Sequence, residues 1–142
     1  MSRTLTGLVG ALVLAGMAAT ALAATEMEQA LAKGGERMTS DEIAERLAGK
    51  TVTFEIASSG ARFLVYYDGA NGALLKPLGS DDVVEGFFAV DLADHVCLGI
   101  RSDAPIRLRC VDVVLIDGMM HKFELDGSLR GRVIEEVEGN RV

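Results

Sequence analysis

KTVTFEIASSGARFLVYYDGANG, residues 50–72, is the stretch that decides the fold. Val52, Phe54 and Ile56 alternate with Thr51, Thr53 and Glu55, the period of two expected of a strand with one buried face. Ser58-Ser59-Gly60 supplies turn chemistry, and Phe63, Val65 and Tyr67 then share one face of a second strand over 62–67. Asp68-Gly69-Ala70-Asn71-Gly72 follows, with two glycines and an asparagine able to take positive φ. The whole stretch therefore predicts a hairpin that turns back once more.

Downstream the same grammar repeats. Strand candidates fall at 73–75, 86–91, 96–101, 106–116, 119–125 and 131–137, separated by Gly79-Ser80-Asp81-Asp82, Asp117-Gly118 and Asp126-Gly127. Short strands punctuated this regularly predict a mainly β fold, an antiparallel meander or small barrel-like sheet around one core. The pattern fits an open and a closed sheet equally. Upstream the period is helical. Thr39 with Glu42 three residues later forms a capping box, Met38 can staple onto Ile43, and Ile43 and Leu47 share a face before Gly49 stops the helix. This short N-terminal helix is expected to cover an end or an edge of the sheet. Residues 24–38 read as a helix-prone lead-in containing Gly34-Gly35, with no feature that selects one structure.

The first 23 residues have a different composition. Arg3 precedes an apolar run from Leu5 to Leu22 that ends in the small-x-small sequence Ala21-Leu22-Ala23, the pattern of an export signal cleaved after Ala23. A periplasmic or secreted location is expected, with no stable membrane span after cleavage and a single β-rich domain over 39–142. The full chain carries a net charge of −7, and loss of Arg3 makes it more acidic still. That sign disfavours nucleic acid and anionic lipid as partners, because phosphates would be repelled rather than neutralised.

An oxidising compartment gives meaning to the two cysteines, Cys97 and Cys110. A hairpin centred between Asp103 and Ala104 sets them directly opposite each other, close enough for a disulfide. Closing so short a loop stabilises a fold by roughly 3 kcal/mol or less. The same register raises a conflict: Leu98 and Ile100 face the side of Arg107 and Arg109, whereas Ile106 and Leu108 share the cysteine side. Either arginine stems lie over apolar surface, or a bulge shifts the pairing, and Pro105 removes one ladder donor nearby. A redox-active pair would prefer Cys-x-x-Cys at a helix start, which is absent.

Catalytic chemistry finds little to work with. His95 and His121 are the only histidines, and neither Ser58-Ser59 nor Ser80 sits in a Gly-x-Ser-x-Gly elbow. Met119-Met120-His121 offers soft metal ligands and Asp81-Asp82, Asp91 and Asp94 offer hard ones, but adjacent strand residues point to opposite faces and the acids lack calcium-loop spacing. Asp81-Asp82 and Glu135-Glu136 would have to flank a sugar-sized cleft to hydrolyse glycosides, and neighbours on a strand diverge instead. No enzyme activity, metal or cofactor is expected.

Two resemblances extend this reading. A short acidic helix ending in Gly49-Lys50-Thr51-Val52, then Tyr66-Tyr67 before Asn71-Gly72, Gly86-Phe87-Phe88-Ala89-Val90, Val96-Cys97, Cys110 and a closing Glu138-Gly139-Asn140 together resemble a family of small exported proteobacterial proteins of unknown function. That family usually has tryptophan where Phe88 stands. The resemblance implies an exported β-rich domain and transfers no catalytic residue. Ser59-Gly60-Ala61-Arg62-Phe63 is similar to the Ser-Gly-x-x-Tyr stretch of periplasmic inhibitors of C-type lysozyme, with phenylalanine in place of tyrosine. It implies that Ser59, Gly60 and Arg62 belong to a loop inserted into a lysozyme cleft. The expectation is thus a non-enzymatic exported binding or interaction module whose partner is a periplasmic protein or a small ligand. Its alternatives are a periplasmic lysozyme inhibitor and a carrier of small apolar ligands, the latter requiring a closed barrel with an unfilled interior.

Overall fold

The computed structural model describes residues 22–142, so the export segment expected over 1–23 lies almost wholly outside the described residues. Among those described, no helix is long and apolar enough to cross a membrane. The chain runs α1 (Glu26–Ala32), β1 (Glu36–Arg37), α2 (Ser40–Leu47), then eight strands: β2 (Lys50–Ile56), β3 (Arg62–Tyr67), β4 (Gly72–Pro77), β5 (Val84–Val90), β6 (His95–Ile100), β7 (Leu108–Ile116), β8 (Met119–Phe123) and β9 (Leu129–Glu138). Each of the eight pairs antiparallel with the next, and β9 returns to pair with β2. The meander is therefore a closed eight-stranded barrel.

Its two ends differ. At one end α2 closes the barrel. Its capping box forms as the sequence predicts, with Glu42 accepting from the Thr39 backbone N–H at 2.8 Å and Thr39 capping the Glu42 N–H. Ile43 and Leu47 are fully buried and join Met38, Val52, Phe88, Val113 and Met120 in one core. The lead-in is more ordered than its sequence suggests. Thr25 and Glu28 form a second capping box that starts α1, which lies against β7, and the Glu26 carboxylate accepts from the Leu129 N–H at 2.7 Å. Strand β1 then extends the barrel wall by pairing with Val114 and Leu115 beyond the end of β6.

Cys97 and Cys110 stand opposite each other in the β6–β7 ladder and are bonded, S–S 2.02 Å. No bulge shifts this register. The bond lies on the outer face of the barrel, because the neighbouring Val96 and Val111 belong to the inner core. Pro105 sits in the connecting loop 101–107, beyond the ladder, after a cis peptide bond.

The closing helix is also pinned electrostatically. Arg46 donates to Glu136 of β9 from Nε at 2.9 Å and Nη2 at 2.7 Å, and this holds the Glu136 carboxyl below its usual pKa. A depressed folded-state pKa means the pair's contribution is complete above the ordinary glutamate range and is lost as pH falls through the folded value. Arg46→Ala is expected to cost about 1 kcal/mol at neutral pH. In urea unfolding the gap between wild type and variant should narrow as pH falls to about 3; a gap independent of pH would contradict the pairing.

Candidate functional site

The other half of the barrel is not filled. A half-open cavity of about 860 Å³ lies inside it, opening beside loop 101–107 and the 124–128 turn. This is within the range of roughly 300–1,000 Å³ typical of small-molecule sites. Phe54, Phe63, Val65, Leu75, Val96 and Leu98 form its apolar wall. Gly86 and Gly131 also face inward, opposite Ile100 and Ile56 respectively, but there the backbone of the neighbouring strand, and at Gly131 also the Phe54 ring, takes the place of a side chain. The inward positions nearest the mouth on β7 and its loop carry arginine, whose charged head seeks water.

The floor is built by Tyr67 and Lys122. Tyr67 packs edge-on against Phe88 below it, ring centroids 4.9 Å apart. Lys122 faces inward because it pairs with Val113 on one side and Gly131 on the other. It is only 7% exposed, yet it makes no ion pair within 4.0 Å among the described residues. Its Nζ donates to the Tyr67 hydroxyl at 2.9 Å and stands 5.2 Å and 5.3 Å from the ring centres of Phe54 and Tyr67. An ammonium taken out of water needs such compensation, and aromatic faces and one phenol supply only part of it.

Charges of both signs line the mouth. Arg130 is left unopposed by a bulge in β9, since Lys122 pairs with Gly131 and Phe123 with Leu129. It bonds Glu124 at 2.9 Å. Asp126 accepts from both the hydroxyl and the N–H of Ser128, which lowers its carboxyl pKa. Arg107 and Arg109 are exposed at the rim and are bonded to no acid among the described residues. Within a chain of net charge −7, the cavity thus carries four cations against three carboxylates. Leu78, Val83, Ile106, Leu108 and Leu125, five of the large apolar side chains left exposed, also sit at this end of the barrel.

The residues singled out from the sequence lie elsewhere. Ser59 accepts from the Ala61 N–H at 3.2 Å, Gly60 has φ 69°, and Arg62 is held by Glu55 at 2.8–2.9 Å, so all three are engaged within the β2–β3 hairpin. His121 is on the outer face of β8 and contacts the Met119 carbonyl at 3.1 Å, while Met120 is fully buried on the opposite face. His95 contacts Asp91 through Nδ1 at 2.9 Å and Asp112 through Nε2 at 3.6 Å, next to the Arg37–Asp112 pair. Neither ring nitrogen bonds a hydroxyl among the described residues; the nearby Ser40 hydroxyl donates to Asp94 instead, at 2.9 Å. This cluster ties β1 and the start of α2 to the barrel wall. Asp81 and Asp82 lie in the exposed 78–83 loop. Glu135 and Glu136 diverge, one meeting Thr53 and the other Arg46. No group of three or more metal-ligating side chains occurs among the described residues.

No protein family, curated protein or solved structure matches this chain. Its site is read from its own residues.

Proposed function

We propose that the protein is an exported binder of small, largely apolar ligands, which it holds inside the open half of its barrel. The observation that carries this reading is the cavity itself: about 860 Å³, half-open to solvent, with an apolar wall below a charged mouth. Close-packed interiors leave few voids larger than a water molecule. A space this large within a folded barrel fits a binding role better than a structural one, and eight strands give an interior able to hold one small ligand. The exposed apolar residues around the mouth support it, because they lower the cost of moving an apolar molecule from solvent to cavity.

A neutral naphthylamine dye tests the proposal. Wild-type protein is expected to bind it at micromolar dye with enhanced, blue-shifted fluorescence. Leu98→Trp, which projects an indole into the open space, is expected to weaken binding about tenfold or more at little cost in stability. Wild-type protein that leaves the dye unbound would end the ligand-carrier reading.

A further inference from the structure

Resting on that reading of the cavity, we propose that Lys122 and Tyr67 form a headgroup site for a single carboxylate, so that the ligand is an amphipathic acid bound head-first with its tail toward the mouth. Three observations converge on it. Lys122 is the one buried cation lining the cavity, and it lies at the floor, where the Phe54 and Tyr67 rings border it. An ammonium has three N–H donors, and the described residues occupy one of them, through the Tyr67 hydroxyl. Because Tyr67 accepts that bond, its own O–H is left to donate. Two N–H donors and one O–H donor therefore surround the floor without a protein carboxylate to receive them.

The carboxylates that line the same cavity do not fill this role. Glu124 is bonded to Arg130, Asp126 to Ser128, and Asp103 lies in loop 101–107; all three are at the mouth, and none comes within ion-pair distance of Lys122. A carboxylate arriving from outside would meet donors already desolvated and oriented, which is where charge-assisted hydrogen bonds are strongest. Between floor and mouth the wall is apolar, from Val65 and Val96 up to Phe63 and Leu98. Strand residues advance about 3.3 Å each, so the four steps from Tyr67 to Phe63 span about 13 Å, or roughly 10 Å of depth once strand tilt is allowed for. That suits a medium-length alkyl or a single aromatic tail.

The competing arrangement is head-out, with the acid on Arg107 and Arg109 at the rim. The two differ in their response to salt, since exposed charges are screened and buried ones much less so. Decanoate and 1-decanol, two probes of equal tail length, are titrated into the full mature protein by dye displacement at low and high salt. Decanoate is expected to bind about tenfold or more tightly than decanol, with a preference that changes less than about threefold across the salt range. Lys122→Met is expected to remove the preference while keeping decanol binding, and Tyr67→Phe to reduce it. Removing a buried unpaired cation should leave the variant's thermal midpoint no lower than that of wild type, which checks its fold. Equal binding of acid and alcohol by wild type would overturn the headgroup site and leave the cavity reading intact. Binding of neither would overturn both. A preference that persists in Lys122→Met and disappears in salt would assign the acid to the rim arginines instead.

Discussion

Gly131→Val is expected to cost about 3–5 kcal/mol, a large share of a total that for domains of this size is about 5–15 kcal/mol. Gly131 stands in the seam that closes the barrel, opposite Ile56 of β2 and Lys122 of β8. A Cβ there would fall well inside 3.0 Å of the Glu55 carbonyl oxygen and 2.6 Å from the tip of the Phe54 ring. The carbonyl belongs to the backbone of the facing strand, so it cannot yield without separating β2 from β9. Displacing Phe54 in turn uncovers the Lys122 ammonium. Gly118→Ala is the matched control. Gly118 has φ 78° in the β7–β8 turn and open space around its missing Cβ, so only backbone strain opposes the change, worth about 1 kcal/mol. Urea midpoints and slopes for both variants measure the difference. A Gly131→Val protein as stable as Gly118→Ala would mean that the β2–β9 seam is not closed in solution.

That seam also shows where sequence reasoning stops. The strands themselves are legible: alternation locates residues 62–67 to the residue, and the turns at Asn71-Gly72 and Asp117-Gly118 fall where glycine or asparagine takes positive φ. The Cys97–Cys110 pairing follows from hairpin symmetry and holds in the structure. Closure does not follow, because it depends on pairing between the first and last barrel strands, whose periodicities carry no mark of one another. The conflict over Leu98, Ile100, Arg107 and Arg109 has an instructive resolution. All four line the cavity, and the arginines stand where its apolar wall gives way to solvent. What reads as a faulty amphipathic pattern is the mouth of the cavity.

The inward position of Lys122 is less legible in the sequence. In Met119-Met120-His121-Lys122-Phe123 the conspicuous residues are the potential soft ligands, and a lysine in a strand is ordinarily a solvent-facing residue. Its parity with Met120 was the available signal, since residues two apart share a face and Met120 is an obvious core side chain. The capping box of Thr25 and Glu28 was equally available; it is the same motif as Thr39 and Glu42, placed just after the expected cleavage site. A buried cation that lacks a countercharge opposes stability, and natural chains tend to keep such conflicts at functional positions.

The barrel therefore divides into a packed half and an open half, the second proposed to bind ligand, and Leu47→Ala should separate stability from binding. Leu47 is fully buried in α2, and it belongs to the core formed with Val52, Phe88 and Met120 rather than to the lining of the cavity. Truncation removes three carbons from a site enclosed by helix and barrel, where the surroundings cannot readily collapse. The expected loss is about 3 kcal/mol, within the range found for buried leucines. Dye affinity at 20 °C, where the variant is still folded, should change by less than about threefold, because Leu47 belongs to the packed core and not to the cavity lining. Leu98→Trp should show the opposite profile, with affinity lost and stability nearly kept. Chemical unfolding and dye titration on the same two variants give four numbers. If Leu47→Ala lost affinity in proportion to stability, the closing helix would be setting the shape of the floor, and the two halves would act as one unit.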